Sequence, residues 1–128
     1  MITADQLILH AIGDYFLQSD WMASNKTNKS VATLAHAVTY TLPFLLLTTA
    51  PLALLFICGT HFVIDRFRLA RHLCWLKNWP WPGCRPWGEC NKTGYPHDRP
   101  EWLAVWLMII VDNLLHVVLN GVALRWLS

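Results

Sequence analysis

Apolar and charged positions are segregated along the chain. Positions 31–64 carry no Lys, Arg, Asp or Glu, and positions 102–124 carry only Asp112. A helix that crosses a bilayer needs about 20 mostly apolar residues. The second stretch therefore predicts one such helix, and the first predicts two, broken at Thr48-Thr49-Ala50-Pro51. A shorter, more polar segment predicts a first helix that crosses at an angle or enters only partway. The pattern gives four helices over 4–21, 31–49, 52–75 and 102–126. The polar run Ser24-Asn25-Lys26-Thr27-Asn28-Lys29-Ser30 supplies a turn and an N-cap before the second helix. Pro43 predicts a kink within that helix. The third helix changes character after Ile64, where Arg66, Arg68, Arg71 and His72 make it interfacial. Residues 77–101, with Trp79-Pro80-Trp81-Pro82-Gly83, Trp87-Gly88 and Gly94-Tyr95-Pro96, cannot be one helix and predict a Trp-rich loop at the bilayer boundary.

Composition agrees with the pattern. Of 128 residues, 55% are hydrophobic and 14% charged, whereas a soluble domain is about a quarter charged. The expectation is a single all-α domain, an integral membrane helical bundle whose partner is the lipid bilayer. The N-terminus carries Asp5 and no basic region, so it does not read as a cleaved signal peptide. Lys26 and Lys29 lie in the first connection, and seven basic residues run from Arg66 to Arg99 against Glu89 and Asp98. Four helices put both basic connections on one face, which predicts that these loops are cytoplasmic and the termini outside. The basic residues are accounted for by topology, and no nucleic-acid-binding motif is present. Cys58 reads as a packing residue in an apolar helix. Cys74, Cys84 and Cys90 could form a Cys3His zinc knuckle with His97, but the spacing lacks a C-x-x-C pair, and reduced loop thiols are the expectation.

Seven ionisable residues interrupt the apolar segments: His10, Asp14, His36, His61, Asp65, Asp112 and His116. His10-x3-Asp14 and His61-x3-Asp65 repeat one pattern, and Asp112-x3-His116 reverses it. Residues four apart share a helix face. The fourth helix runs opposite to the first and third, so its reversed order restores the same direction in space. Counted from the helix ends, the groups sit roughly 8–17 Å in from the basic side. A single buried His is ordinarily a hydrogen-bonded core residue, and that reading suffices for His36 alone. Asp65 is partly excused by Arg66 and Arg68 beside it. Three His/Asp pairs are harder to dismiss, because no Lys or Arg lies at their sequence depth and a bare carboxylate there is costly. All seven are candidate metal ligands. Three aspartates and neutral histidines balance two divalent ions and one bridging hydroxide. Imidazole with carboxylate suits zinc first, then manganese or iron. A proton relay through His and Asp is the rival reading, although positions 42–57 offer only Thr48 and Thr49 to continue a polar track.

His10-Ala-Ile-Gly-Asp14-Tyr-Phe-Leu-Gln18, His36, His61-Phe-Val-Ile-Asp65-Arg66 and Asp112-Asn113-Leu-Leu-His116 resemble the domain-of-unknown-function family 3307, small bacterial and phage membrane proteins. Gly94-Tyr95-Pro96 and Asp98-Arg99-Pro100 also look like that family, so the resemblance covers nearly the whole chain. It brings no established activity. It is distantly similar to membrane-bound metal-dependent hydrolases, which also place His and Asp in apolar helices. The expectation is a metal-dependent hydrolase acting near the cytoplasmic leaflet on a lipid-linked or phosphoester substrate. Asp65 and Asp112 would be the catalytic carboxylates, and Arg66 and Arg68 would hold a phosphate unless they serve only as positive-inside anchors. The alternatives are a non-enzymatic, metal-stabilised bundle that binds another membrane protein, and a proton or metal pathway.

Overall fold

A computed structural model describes residues 2–128. Among them all regular structure is helical: α1 (Ala4–Ala11), α2 (Asp20–Asn25), α3 (Ser30–Thr41), α4 (Pro51–Phe67), α5 (Leu69–Asn78) and α6 (Glu101–Trp126). Six helices replace the four expected because local chemistry breaks two of them. Thr3 caps α1 by accepting the Gln6 amide, and α1 then runs into a π-helical turn, Ile12–Phe16. Ser19 caps α2 through the Met22 amide, so the expected helix over 4–21 is divided at 17–19. Pro43 has no N–H for the carbonyl one turn back. The expected kink appears as a change from α3 to a tighter 3-10 segment, Leu42–Leu46. Pro51 opens α4 at a position whose amide has no intrahelical acceptor.

The third expected helix is the larger correction. Arg68 adopts φ 51°, ψ 50°, a left-handed conformation that ends α4 and separates it from α5. That conformation costs an L-residue about 1–2 kcal/mol. It is held by the Arg68 guanidinium, which donates to the Lys92 carbonyl at 2.9 Å. By length and composition, α6 alone among the described residues is long and apolar enough to cross a membrane. Ser30–Leu46 is apolar but shorter, and α4 has 17 residues.

The chain forms two compact units, Met1–Phe67 with His116–Ser128, and Arg68–Leu115. In the first, α3 packs along α4, and a core of Leu9, Tyr40, Phe44, Ile57 and Ala123 is fully or nearly fully buried. Fully buried Ala32, Ala37 and Ala53 on these two helices keep their side chains small where helices approach. Polarity is inverted around this core. Gln6, His10, Asp14, His36, His61, Asp65, His116 and Asn120 are buried, while Phe16, Val31, Leu46 and Leu55 are each at least 70% exposed.

In the second unit, one face of α5 carries the loop that follows it. Arg71 donates to the Asn91 carbonyl at 2.8 Å, Trp75 Nε1 donates to the Arg85 carbonyl at 2.9 Å, and His72 stacks on Trp87. With Arg68 these residues lie at helical spacing along one side. The Trp/Pro-rich segment, expected as an interfacial loop, is therefore a folded substructure built on α5. Gly94 makes the closest approach, with φ +87°. A β-carbon there would overlap the Arg71 carbonyl and lie 2.5 Å from Cys74 Cβ and 2.9 Å from the Trp75 amide nitrogen. Gly83 has φ +85° but open space around it. Gly83→Ala should therefore cost only the dihedral penalty, about 1–2 kcal/mol, and Gly94→Ala clearly more. Thermal unfolding followed by Trp fluorescence distinguishes them, and equal shifts would contradict the close packing at Gly94.

Candidate metal centre

Four helical segments of the first unit converge on one buried cluster. The π-turn after α1 carries Asp14, α3 carries His36, α4 carries His61 and Asp65, and α6 carries His116. His36 Nε2 lies 3.3 Å from Asp14 Oδ1 and 3.4 Å from Asp65 Oδ2. His61 Nε2 lies 3.4 Å and 3.3 Å from the same two oxygens. His116 Nε2 is 3.7 Å from the other oxygen of Asp65. Two groups thus bring their ligand atoms together closely enough for an ion, Asp14-His36-His61 and His61-Asp65-His116.

The spacing carries chemical information. Ligand atoms about 2.0–2.1 Å from a tetrahedral ion stand about 3.3–3.4 Å apart. The four separations that link His36 and His61 to Asp14 and Asp65 have that length. Asp14 Oδ1 and both ring nitrogens of His36 and His61 are buried and make no hydrogen bond among the described residues. Buried polar atoms ordinarily find a partner, and oxygen and nitrogen lone pairs converging on one region are what a cation requires. The residues fit a divalent metal with mixed imidazole and carboxylate ligands.

A second layer fixes the rings. Tyr40 stacks on His61 with centroids 3.7 Å apart, and its hydroxyl is 2.8 Å from His10 Nδ1. The same hydroxyl accepts a hydrogen bond from Asn120 Nδ2 at 2.5 Å. Gln6 Nε2 donates to the Val117 carbonyl at 2.6 Å, tying α1 to α6. His61 and His116 lie ring against ring at 4.2 Å. These polar partners are legible after the fact. Gln6-x3-His10, His36-x3-Tyr40 and His116-x3-Asn120 continue the same four-residue spacing that marked the His/Asp pairs. Away from the cluster, Ser128 Oγ donates to Thr48 Oγ1 at 2.6 Å.

Several expectations change. Lys26 Nζ pairs with Asp65 Oδ2 at 2.9 Å, its side chain 21% exposed, so a cation does reach the buried carboxylates. It does so from the polar turn after α2, because a lysine's four-carbon stem can lie along apolar surface while the ammonium travels to its partner. His10 meets Tyr40 and lies 3.6 Å from Asp14 Oδ2, outside both closed groups. Asp112 belongs to the second unit and is in neither group. Arg66 donates to Ser30 Oγ and to the Thr27 carbonyl, bracing the turn before α3. Arg68 is engaged with the Lys92 carbonyl in the second unit. Neither arginine is shown facing the cluster. Cys74, Cys84, Cys90 and His97 form no metal group among the described residues, and His97 Nε2 instead lies 3.2 Å from Asn91 Oδ1.

A family model described as Protein of unknown function (DUF3307) matches residues 2–124. No curated protein and no solved structure matches the chain.

Gly13, beside Asp14, explains a small residue at the heart of the cluster. A β-carbon there would lie 2.5 Å from the Tyr40 ring and 3.1 Å from its carbonyl oxygen. Tyr40 is pinned by His61, His10 and Asn120, so it has little room to give. Gly13→Ala should lower stability by about 1–3 kcal/mol through overpacking. Gly59→Ala in α4, where nothing lies within 4 Å of the added carbon, should be neutral or stabilising by about 0.5–1 kcal/mol. Paired melting curves test this, and a harmless Gly13→Ala would contradict the pinned ring.

Proposed function

The chain belongs to this family of unknown function, and we propose that it is a membrane-embedded metal protein whose centre serves hydrolysis of a lipid-linked or phosphoester substrate. The observation that carries the reading is the convergence of Asp14 Oδ1, Asp65 Oδ2, His36 Nε2 and His61 Nε2 in a buried layer. The family match covers the stretch that holds all four residues. Two carboxylates and two imidazoles complete the ligand set of one ion, so the four-atom set supports the lower of the one or two ions expected. Zinc fits the donor set and spacing best, with manganese or iron the next candidates.

A divalent ion held here supplies a Lewis acid that lowers the pKa of water towards neutrality. The protein residues would do the rest. His36 and His61 present ring nitrogens held in place by the Tyr40 stack and by close helix packing. Asp14 and Asp65 supply the compensating charge, and hydrolysis would require one of them to leave the ion, opening a position for water and serving as its base. Lys26, the one partly exposed charged group at the cluster, is suited to an anionic oxygen of a phosphoester.

Support for the bilayer comes from the inverted polarity of the first unit. Exposed Val31, Leu34, Val38, Leu42, Leu45 and Leu46 follow one another along α3 and its 3-10 extension, a surface suited to acyl chains. The basic turn at Lys26 and Lys29 suits the cytoplasmic side. One observation favours a second reading. His36 and His61 are essentially inaccessible, as expected of a metal that stabilises a bundle whose role is to bind another membrane protein.

Elemental analysis of the detergent-purified protein should find about one divalent ion per chain. His61→Gln and Asp65→Asn should each reduce it to background. Wild-type protein without metal would defeat both readings. Comparison of lipid extracts from cells expressing wild type or Asp65→Asn separates the two. Altered lipids with wild type alone support hydrolysis. Unchanged lipids, with phenotype following melting temperature across the ligand variants, support the scaffold.

A further inference from the structure

The loop of the second unit holds two thiols that the metal reading does not use. The Arg85 carbonyl is anchored by Trp75 Nε1 at 2.9 Å. Cys84 Sγ donates to that oxygen at 3.6 Å and Cys90 Sγ at 3.8 Å. Two sulfurs thus share one fixed acceptor oxygen. The chain between them is folded back by a tight turn, in which the Glu89 amide donates to the Pro86 carbonyl and the Cys90 amide to the Trp87 carbonyl. Both sulfur-bearing residues line a cavity of about 290 Å3 walled by Trp75, Trp81 and Tyr95, with Arg99 on the same lining.

We propose that Cys84 and Cys90 are a redox-active dithiol that closes to an intramolecular disulfide by exchange with a small, carboxylate-bearing disulfide. Access assigns the order. Cys84 is partly exposed and Cys90 is buried. Burial, with Cys84 and Glu89 nearby, pushes the Cys90 thiol above its ordinary pKa, which suits it to the second step rather than the first. Cys84 loses its proton and attacks one sulfur of the small disulfide, forming a mixed disulfide and releasing one small thiol. Cys90 then loses its proton and attacks the Cys84 sulfur, releasing the second. Two protein thiols are oxidised to one disulfide, one small disulfide is reduced to two thiols, and the two protons pass to the departing thiolates. The aromatic walls accommodate the small molecule and Arg99 attracts its carboxylates. Closure would staple the segment across the cavity and make this lining sensitive to redox poise. In a reducing compartment such bonds form transiently, as sensors.

The test exposes full-length, detergent-solubilised protein to glutathione buffers of rising oxidised fraction, then alkylates it and maps peptides by mass. Trypsin leaves both cysteines on one peptide, because Arg85 precedes Pro86. The expected result is that this peptide becomes two hydrogens lighter and resists alkylation, while Cys58 and Cys74 remain alkylated. Cys90→Ser should trap glutathione on Cys84, and Cys84→Ser should leave Cys90 unmodified. The proposal is overturned if both thiols of the wild type stay alkylatable throughout. A persistent glutathione adduct without the internal bond, or linkage to Cys74, overturns it equally. Loss of metal from the first unit would leave these outcomes unchanged, so the two readings fail independently.

Discussion

Two buried carboxylates set the terms for the first unit. Asp14 and Asp65 lie within helices whose outer surfaces are apolar, and a carboxylate in such surroundings is strongly unfavourable unless charge and hydrogen bonds compensate it. The protein answers from several directions. His36 and His61 each approach both carboxylates, His116 approaches Asp65, and Lys26 enters from a polar turn. No single helix could provide this. The convergence of α1, α3, α4 and α6 is thus as much a requirement of the carboxylates as a consequence of packing. Remove one acid and the reason for several of the other polar groups disappears.

The backbone shows the same constraint. α1 widens into a π-turn at the residues that carry Asp14, an irregularity that recurs at functional sites. Gly13 within that turn brings the backbone against the Tyr40 ring, and Tyr40 reaches His61, His10 and Asn120 at once. A glycine, a tyrosine and an asparagine with no ligand role of their own therefore govern the orientation of the imidazoles. Preorganisation of this kind lets a metal bind without first ordering its ligands.

The second unit follows a different logic. It begins at a strained residue, Arg68, whose left-handed backbone ends α4 and whose guanidinium grips the loop. α5 is the platform on which that loop is built, with Arg71, His72 and Trp75 each engaging a different part of it. Positive charges clustered after Ile64 thus serve as donors to main-chain carbonyls. The loop's carbonyls need partners, and the arginines provide them.

Much was legible in the chain itself. The apolar stretches located α3, α4 and α6, and the four-residue His/Asp spacing picked out Asp14, His61, Asp65 and His116, because helical periodicity is a local property that sequence records directly, whereas His36 stood out only as a lone ionisable residue in an apolar helix. Other features were decided by the tertiary structure. The break at Arg68 depends on a carbonyl 24 residues away. Lys26 joins the cluster through a flexible side chain whose reach no spacing rule expresses. Asp112 shares the spacing yet is in neither group of converging ligand atoms, since a pattern on a helix states which residues share a face but not which atoms converge on an ion. Periodicity along one helix is written in the order of its residues. The meeting of four helices around two carboxylates is settled only when distant segments pack and each buried charge must find its partner.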